Sequence, residues 1–262
     1  MKEWITGRNP VYEVLRTHRR EFFRLLVAQG VQEKGRLAEI LKLAAEHKLP
    51  VDWIPRPRLD PLSENHQGVA LEASGYAYTT LDDILDRAVE KHEPLFVLIL
   101  DLIQNPQNLG TLLRTAEAAG IHGVVLPLAR AATVTPAVVN ASAGASEHML
   151  IAQVNLIQAI ERIKEAGAWV LGLEGSPAAK LPEQVRLDGP LALVVGNEGE
   201  GLRPLVRSSC DLLLRLPMRG EVESLNAAVA GSVAIYLALQ ARQASQGDTA
   251  EPSSVLSSLP RV

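Results

Sequence analysis

Gly196-Asn197-Glu198-Gly199-Glu200-Gly201-Leu202 follows directly on the apolar run Leu191–Val195 and sets the architecture of the chain. A strand that breaks into three glycines within six residues must let something approach its backbone. The order Gly-x-x-Gly-x-Gly is not the Gly-x-Gly-x-x-Gly of a dinucleotide fold, and no Gly-Lys-Ser/Thr follows to hold phosphates. Glu198 and Glu200 inside the loop repel a phosphate, so the expected ligand is neutral or positive near the backbone.

Two other stretches belong with this one. The segment from Asn105 through Asn108, Gly110 and Arg114 to Ala116 follows the apolar run 95–103, and the segment from Leu216 through Pro217, Met218 and Ser224 to Asn226 follows the run 212–216. Each reads as strand, polar loop, helix. In open parallel α/β sheets the carboxyl ends of the strands are where ligands bind, so Asn108, Arg114, Glu198, Ser224 and Asn226 are expected to share one site.

Around these stretches the pattern alternates. From residue 94, strands are predicted over 95–103, 123–126, 149–153, 169–173, 191–195 and 212–216. Helices are predicted over 111–119, 136–143, 156–166 and 225–243, with Thr135, Asn155 and Ser224 as caps. Strands rich in Val and Leu on both faces imply an α/β fold, a parallel sheet with helices on both sides. Before it, residues 1–75 read as a smaller α/β unit, with helices over 10–16 and 35–47 and strands over 22–28, 51–54 and 68–73. Residues 76–93 read as a linker plus a helix opened by the capping pair Thr80 and Asp83. The larger unit is then 94–243, and 244–262, polar and Ser-rich, is expected to be a disordered tail.

Composition bounds the function. The chain has 262 residues, 47% hydrophobic and 21% charged, enough for one large or two modest domains. One cysteine, Cys210, excludes an internal disulfide framework and fits a reducing cytoplasm. The start Met1-Lys2-Glu3-Trp4 lacks a signal-peptide core, and no apolar stretch reaches membrane-spanning length. Histidines without partners at ligand spacing give an expectation of no metal. A net charge of −4 would not by itself suggest nucleic acid, but residues 1–75 hold 12 Lys/Arg against 10 Asp/Glu, with Arg16, His18, Arg19, Arg20 and Arg24 together. A solvated helix face is the ordinary reading of such a run.

Taken in order, Asn108-x-Gly110-x-x-x-Arg114, Gly196-x-Glu198-x-x-Gly201 and Pro217-Met218…Ser224-Leu225-Asn226 resemble the SpoU/TrmH family of S-adenosylmethionine-dependent RNA ribose 2′-O-methyltransferases. The resemblance spans about 120 residues and implies a carboxyl-terminal deep trefoil knot, over roughly residues 193–239, that forms the cofactor pocket. It implies an amino-terminal L30e-like RNA-binding domain, a homodimer through the knotted domain, and a cytoplasmic enzyme. The amino domain favours the ribosomal members that methylate a guanosine of 23S rRNA; tRNA or another rRNA site is the alternative, as is an RNA-binding dimer without turnover. RNA contacts are expected from Arg8, Arg16, Arg19 and Arg20. Contacts to S-adenosylmethionine are expected mostly from backbone at Leu173-Glu174-Gly175, Val195-Gly196, Leu216-Pro217-Met218 and Leu225, with core filling as the alternative for Met218.

A ribose 2′-hydroxyl is a very weak acid and needs help as it attacks a methyl group. The family's arginine corresponds to Arg114. Arginine does not deprotonate in proteins, so its expected work is to orient a phosphate and stabilise alkoxide character; a surface pair with Glu117 is the plain alternative. Asn108 is expected to bond Arg114 or the ribose, or to be an ordinary turn residue. Glu198 is expected to orient Arg114 or contact RNA, or to be a helix-start acid. The family places Ser224 and Asn226 near the transferred methyl or the target ribose.

Overall fold

The computed structural model describes residues 2–247. Of the expected tail, 248–262 lies outside the described residues, and 244–247 continue the last helix.

The larger sheet has six parallel strands in the order β10-β8-β9-β5-β6-β7, with β5 Phe96–Leu100, β6 Gly123–Pro127, β7 Ile151–Val154, β8 Trp169–Leu173, β9 Leu191–Val195 and β10 Leu212–Leu214. Burial on both faces explains its composition: every residue of β5, β6 and β9 is buried. Alternation along β9 divides the cover. Leu191, Leu193 and Val195 face α4 Pro106–Ala118, α5 Pro136–Ala141 and α8 Ala227–Gly247, whereas Ala192 and Val194 face α3 Leu81–Glu90, α6 Leu156–Glu165 and α7 Pro204–Ser209.

The smaller sheet, order β1-β4-β2-β3, contains β1 Lys2–Thr6, β2 Phe22–Ala28, β3 Val51–Ile54 and β4 Val69–Ser74, backed by α1 Arg8–Thr17 and α2 Arg36–Glu46. Strand β1 pairs antiparallel with β4 at the sheet's edge. It was not expected from the sequence, because Lys2-Glu3-Trp4 alternates no clear apolar face. The six-residue α7, opened by Pro204, was also not expected.

The stretch read as a linker is fastened. Thr79 N–H donates to the Ile151 carbonyl at 2.9 Å, Tyr76 hydroxyl to Met149 O at 2.7 Å, and Tyr78 hydroxyl accepts from Val134 N–H at 2.9 Å. The capping box at Thr80 and Asp83 forms as expected, a device worth about 1 kcal/mol. One apolar cluster runs from the small sheet to the α4–α5–α8 side of the large one. The two sheets are therefore joined by packed side chains rather than by a tether.

Candidate active site

The glycines after β9 answer first to the loop itself. A Cβ on Gly196 would lie 2.4 Å from the carbonyl carbon of Gly201, so the loop's far end is what comes close. Asn197 and Gly201 exchange backbone hydrogen bonds of 3.0 and 2.9 Å, and Gly201 holds φ +67°, a conformation natural to glycine. Two side chains clamp this closed loop to the tip of β5. Asn197 Nδ2 donates to Leu102 O at 3.0 Å while its Oδ1 accepts from Gly199 N–H at 2.8 Å. Fully buried Asp101 accepts from Arg203 Nε at 2.6 Å and Arg203 N–H at 2.8 Å. Between the clamps the loop presents Glu198.

Helix α4 begins earlier than expected. Asn105 caps it, accepting from Gln107 N–H at 2.8 Å, and Pro106 takes the first position. Asn108 thus lies in the first helical turn. Helix α8 starts later than expected: Asn226, not Ser224, is its cap, with Oδ1 accepting from Ala228 N–H at 2.9 Å and Val229 N–H at 3.2 Å. The amide oxygen satisfies the helix while the amide nitrogen stays free to point outward. That nitrogen donates to Glu198 Oε1 and to Asn108 Oδ1, the latter at 3.3 Å, and Asn108 Nδ2 also donates to Glu198 Oε1. Asn108, Glu198 and Asn226, from three strand ends, form one hydrogen-bonded cluster around a carboxylate.

On one side of the cluster lies an open cleft above the ends of β8, β9 and β10, with a cavity volume of about 190 Å³. Leu173, Glu174, Gly175, Val195, Gly196, Leu216, Met218 and Leu225 line it, all of the expected cofactor set except Pro217, and Ser224 sits on its rim. Met218 is 38% exposed here, so it is not core filling. The Glu174 carboxylate is taken by Arg207 at 2.6 and 3.0 Å, which leaves mainly backbone facing the cleft at that point. Sequence reasoning missed Asn197 and Glu223, which also line it; the Asn after Gly196 was the available signal, since Asn side chains commonly tie turns. On the other side a smaller recess is lined by Ile103, Gln104, Asn105, Asn108, Asn197 and Glu198. Glu198 stands in the wall common to both.

Arg114 stands apart. It is exposed on α4, and among the described residues it has no hydrogen bond or ion pair, with Glu117 or any other. Six residues on from Asn108, it is about 9 Å along the axis and about a third of a turn around the helix. It lies on the sheet face that α8 also covers: its neighbour Thr115 meets Ser232 of α8 at 2.9 Å.

Among the amino-terminal arginines, Arg20 needs correction as an RNA contact. Arg20 is buried, its guanidinium bidentate to Glu147 at 2.9 and 2.8 Å and bonded to Glu3 at 3.0 Å and Ser74 O at 3.1 Å. Burial lowers the pKa of this guanidinium, but Glu147 and Glu3 outweigh it and the net direction is up. Arg19 is half-buried against the Tyr76 hydroxyl and Met149 O. Arg16 pairs with Glu13 at 3.2 Å beside His148. Arg19 and Arg20 knit the segment after α1 to the 147–149 stretch of the larger unit, whereas the Arg16 side chain stays exposed. Arg8 is half-exposed and bonds the Gln67 carbonyl at 3.3 Å.

Cys210 is half-buried, donating to Val206 O at 3.3 Å, and burial pushes its thiol up to about 12. Among the described residues no three His, Cys, Asp or Glu side chains group as metal ligands, and no helix is long and apolar enough to cross a membrane.

Residues 95–236 match the SpoU rRNA Methylase family, and residues 4–79 match a family described as RNA 2′-O ribose methyltransferase substrate binding. A Bacillus subtilis (strain 168) protein placed in the TrmH family of tRNA/rRNA methyltransferases is 41% identical over 238 residues, 89% of this chain and 94% of the relative. A Staphylococcus aureus (strain COL) protein given the same placement is 41% identical over 234 residues, 88% and 93% of the two chains. Among solved structures, a TrmH-family protein from Porphyromonas gingivalis superposes with TM-score 0.70 at 26% identity, covering 90% of this chain and 88% of its own. The SpoU methyltransferase AviRb from Streptomyces viridochromogenes, in complex with AdoMet, has TM-score 0.77 at 23% identity over 93% and 91% of the two chains, a likeness of fold.

Proposed function

This chain belongs to the SpoU rRNA Methylase family of RNA methyltransferases, and from that premise we propose that it transfers a methyl group to a ribose 2′-hydroxyl, the target being a guanosine of 23S rRNA. The observation that carries this reading is the Asn108–Glu198–Asn226 cluster standing between an apolar cleft and a small polar recess. The cleft suits S-adenosylmethionine: Leu216, Met218 and Leu225 offer apolar walls for an adenine, and the Glu223 carboxylate on the rim suits a cationic group. When bound, that cofactor supplies a methyl carried on a sulfonium.

The chain's own residues have separable tasks. Glu198, held by two amide donors, fixes the side of the recess where the ribose hydroxyl would sit. Asn108 and Asn226 hold that carboxylate in place and leave it as an acceptor for the hydroxyl proton. Arg114 orients the adjoining phosphate and stabilises the growing alkoxide. Within one chain Arg114 does not reach the cluster, which supports a site completed across a homodimer. A stripe of exposed apolar residues on α8, Val229 (48%), Val233 (41%) and Tyr236 (46%), gives a second copy an apolar face to cover. The reading includes a threaded trefoil over roughly residues 193–239; the insertion of β9 between β8 and β5 and the return of α8 onto α4 support it. It also includes RNA recognition by the amino-terminal unit, within the matched segment 4–79.

The test is transfer of labelled methyl groups to rRNA and, separately, tRNA from cells lacking the gene, with the modified nucleotide mapped. Arg114→Ala should lose about 10²–10³-fold in turnover, the scale for one lost oxyanion donor, with cofactor affinity within about twofold. Normal turnover by that variant would remove its assigned role.

A further inference from the structure

The carboxyl edge of the large sheet holds a third recess that the chemistry above does not use. It lies beyond the ends of β6 and β7, bounded by the 127–130 loop, the start of α6 and the start of α7. Its walls are apolar and open to solvent: Leu128 is 70% exposed and Leu205 72%, among the most exposed large apolar side chains of the described residues. Its charge is of one sign. Arg130 and Arg203 line it and no acidic side chain does; Arg203 is tied to buried Asp101, outside the lining, while the exposed guanidinium of Arg130 has no partner among the described residues.

Arg130 is also held in an unusual backbone state, φ +62°, and its carbonyl accepts from Gln104 Nε2 at 3.2 Å. A non-glycine residue kept in the left-handed region costs energy that the surroundings must offset. Gln104 is itself a wall of the small recess beside Asn108 and Glu198. The two recesses are thus neighbours along one edge, joined through the 101–105 segment, which Arg203 bonds at Asp101 and the Arg130 carbonyl bonds at Gln104.

Apolar walls with a single free guanidinium match an unstacked base and its phosphate, since RNA read in single-stranded form presents flat apolar faces on a charged backbone. We propose that this groove receives the unpaired nucleotide next to the one methylated, with its base between Leu128 and Leu205 and its phosphate on Arg130. The inference rests on the RNA methyltransferase reading above and adds residues that position the substrate without touching the reacting atoms.

The experiment measures methyl transfer from labelled cofactor to total rRNA from cells lacking the gene, at several salt concentrations. Leu128→Ser/Leu205→Ser should raise KM for RNA about tenfold, roughly the loss of one leucine's burial against a base, with kcat and cofactor Kd within twofold. Arg130→Ala should reduce the salt slope of KM by about one, and Arg130→Lys should retain it. An active wild type with unchanged KM and slope in all variants overturns the groove alone. So does a double variant that turns monomeric on sedimentation with unchanged KM, which gives the groove to a second copy. A wild type inactive on both rRNA and tRNA overturns the functional reading and this inference with it.

Discussion

Replacing Arg20 with alanine distinguishes an RNA contact from a structural joint. The Arg20 and Glu147 side chains are 0% exposed, and both carboxylate oxygens of Glu147 accept from Arg20 and from no other side chain among the described residues. Arg20→Ala therefore strands a buried carboxylate, which costs about 3–5 kcal/mol when one partner of a buried pair is removed. At roughly 2–4 °C per kcal/mol for a chain of this size, the melting temperature should fall by about 10 °C. Glu147→Gln should cost less, because Glu3 still accepts from Arg20 Nη1 at 3.0 Å. Arg20→Met/Glu147→Leu removes both charges and should recover most of the loss, leaving about 1 kcal/mol or less. Thermal and urea unfolding followed by circular dichroism give the cycle, and KM for rRNA is measured beside it. If Arg20→Ala melts within 2 °C of wild type (a small fraction of the roughly 10 °C expected) while the salt slope of KM drops by one, the joint is misread and the arginine serves RNA.

Other perturbations separate roles that share a residue. Asn226→Asp keeps an oxygen to cap α8 but loses the amide donor and sets a second carboxylate beside Glu198, so methyl transfer should fall steeply while stability changes by less than about 1 kcal/mol; equal turnover by Asp and Asn would deny the donor a role. In Gly196→Ala the new Cβ meets the backbone of Gly201 at 2.4 Å and cannot be accommodated by a side-chain rotation; calorimetric titration should show cofactor affinity reduced more than tenfold, about 1.4 kcal/mol or more. His122 is buried, its Nδ1 accepting from Phe96 N–H at 3.0 Å and its Nε2 meeting Glu93 at 3.0 Å. Burial pulls its pKa down against the opposing pull of Glu93, so the ring is neutral in the fold at neutral pH. Its contribution is complete above the ordinary histidine pKa of about 6.5 and is lost as pH falls below that value. Melting curves at pH 7.5 and 5.5 should show a smaller acid-induced drop in His122→Gln than in wild type.

Local signals were legible where one residue decides a local event. Thr80 with Asp83 and Asn155 ahead of α6 named helix starts that the structure keeps, because a cap acts within one turn. Strands β8 and β9 were readable to the residue because apolar runs bounded by Gly or Pro leave little choice of end. The start of α4 was misplaced because Gln107 and Asn108 are polar, and the Asn105-Pro106 start signal was read as turn chemistry. Ser224 was taken for a cap for a similar reason: two good capping residues stood two positions apart, and only packing selected Asn226.

The sequence by itself determined the parallel α/β sheet and the three strand ends that carry polar residues, since periodicity and glycine placement are properties of neighbouring residues. Tertiary structure alone decided what each charged side chain faces. Nothing near Arg20 in the chain foretells Glu147, 127 residues away, and nothing near Asn108 foretells Glu198, 90 away. An arginine run reads as a solvated or RNA-facing surface until a second unit packs on it. Desolvation is set by what folding brings from far along the chain, and that information is not local.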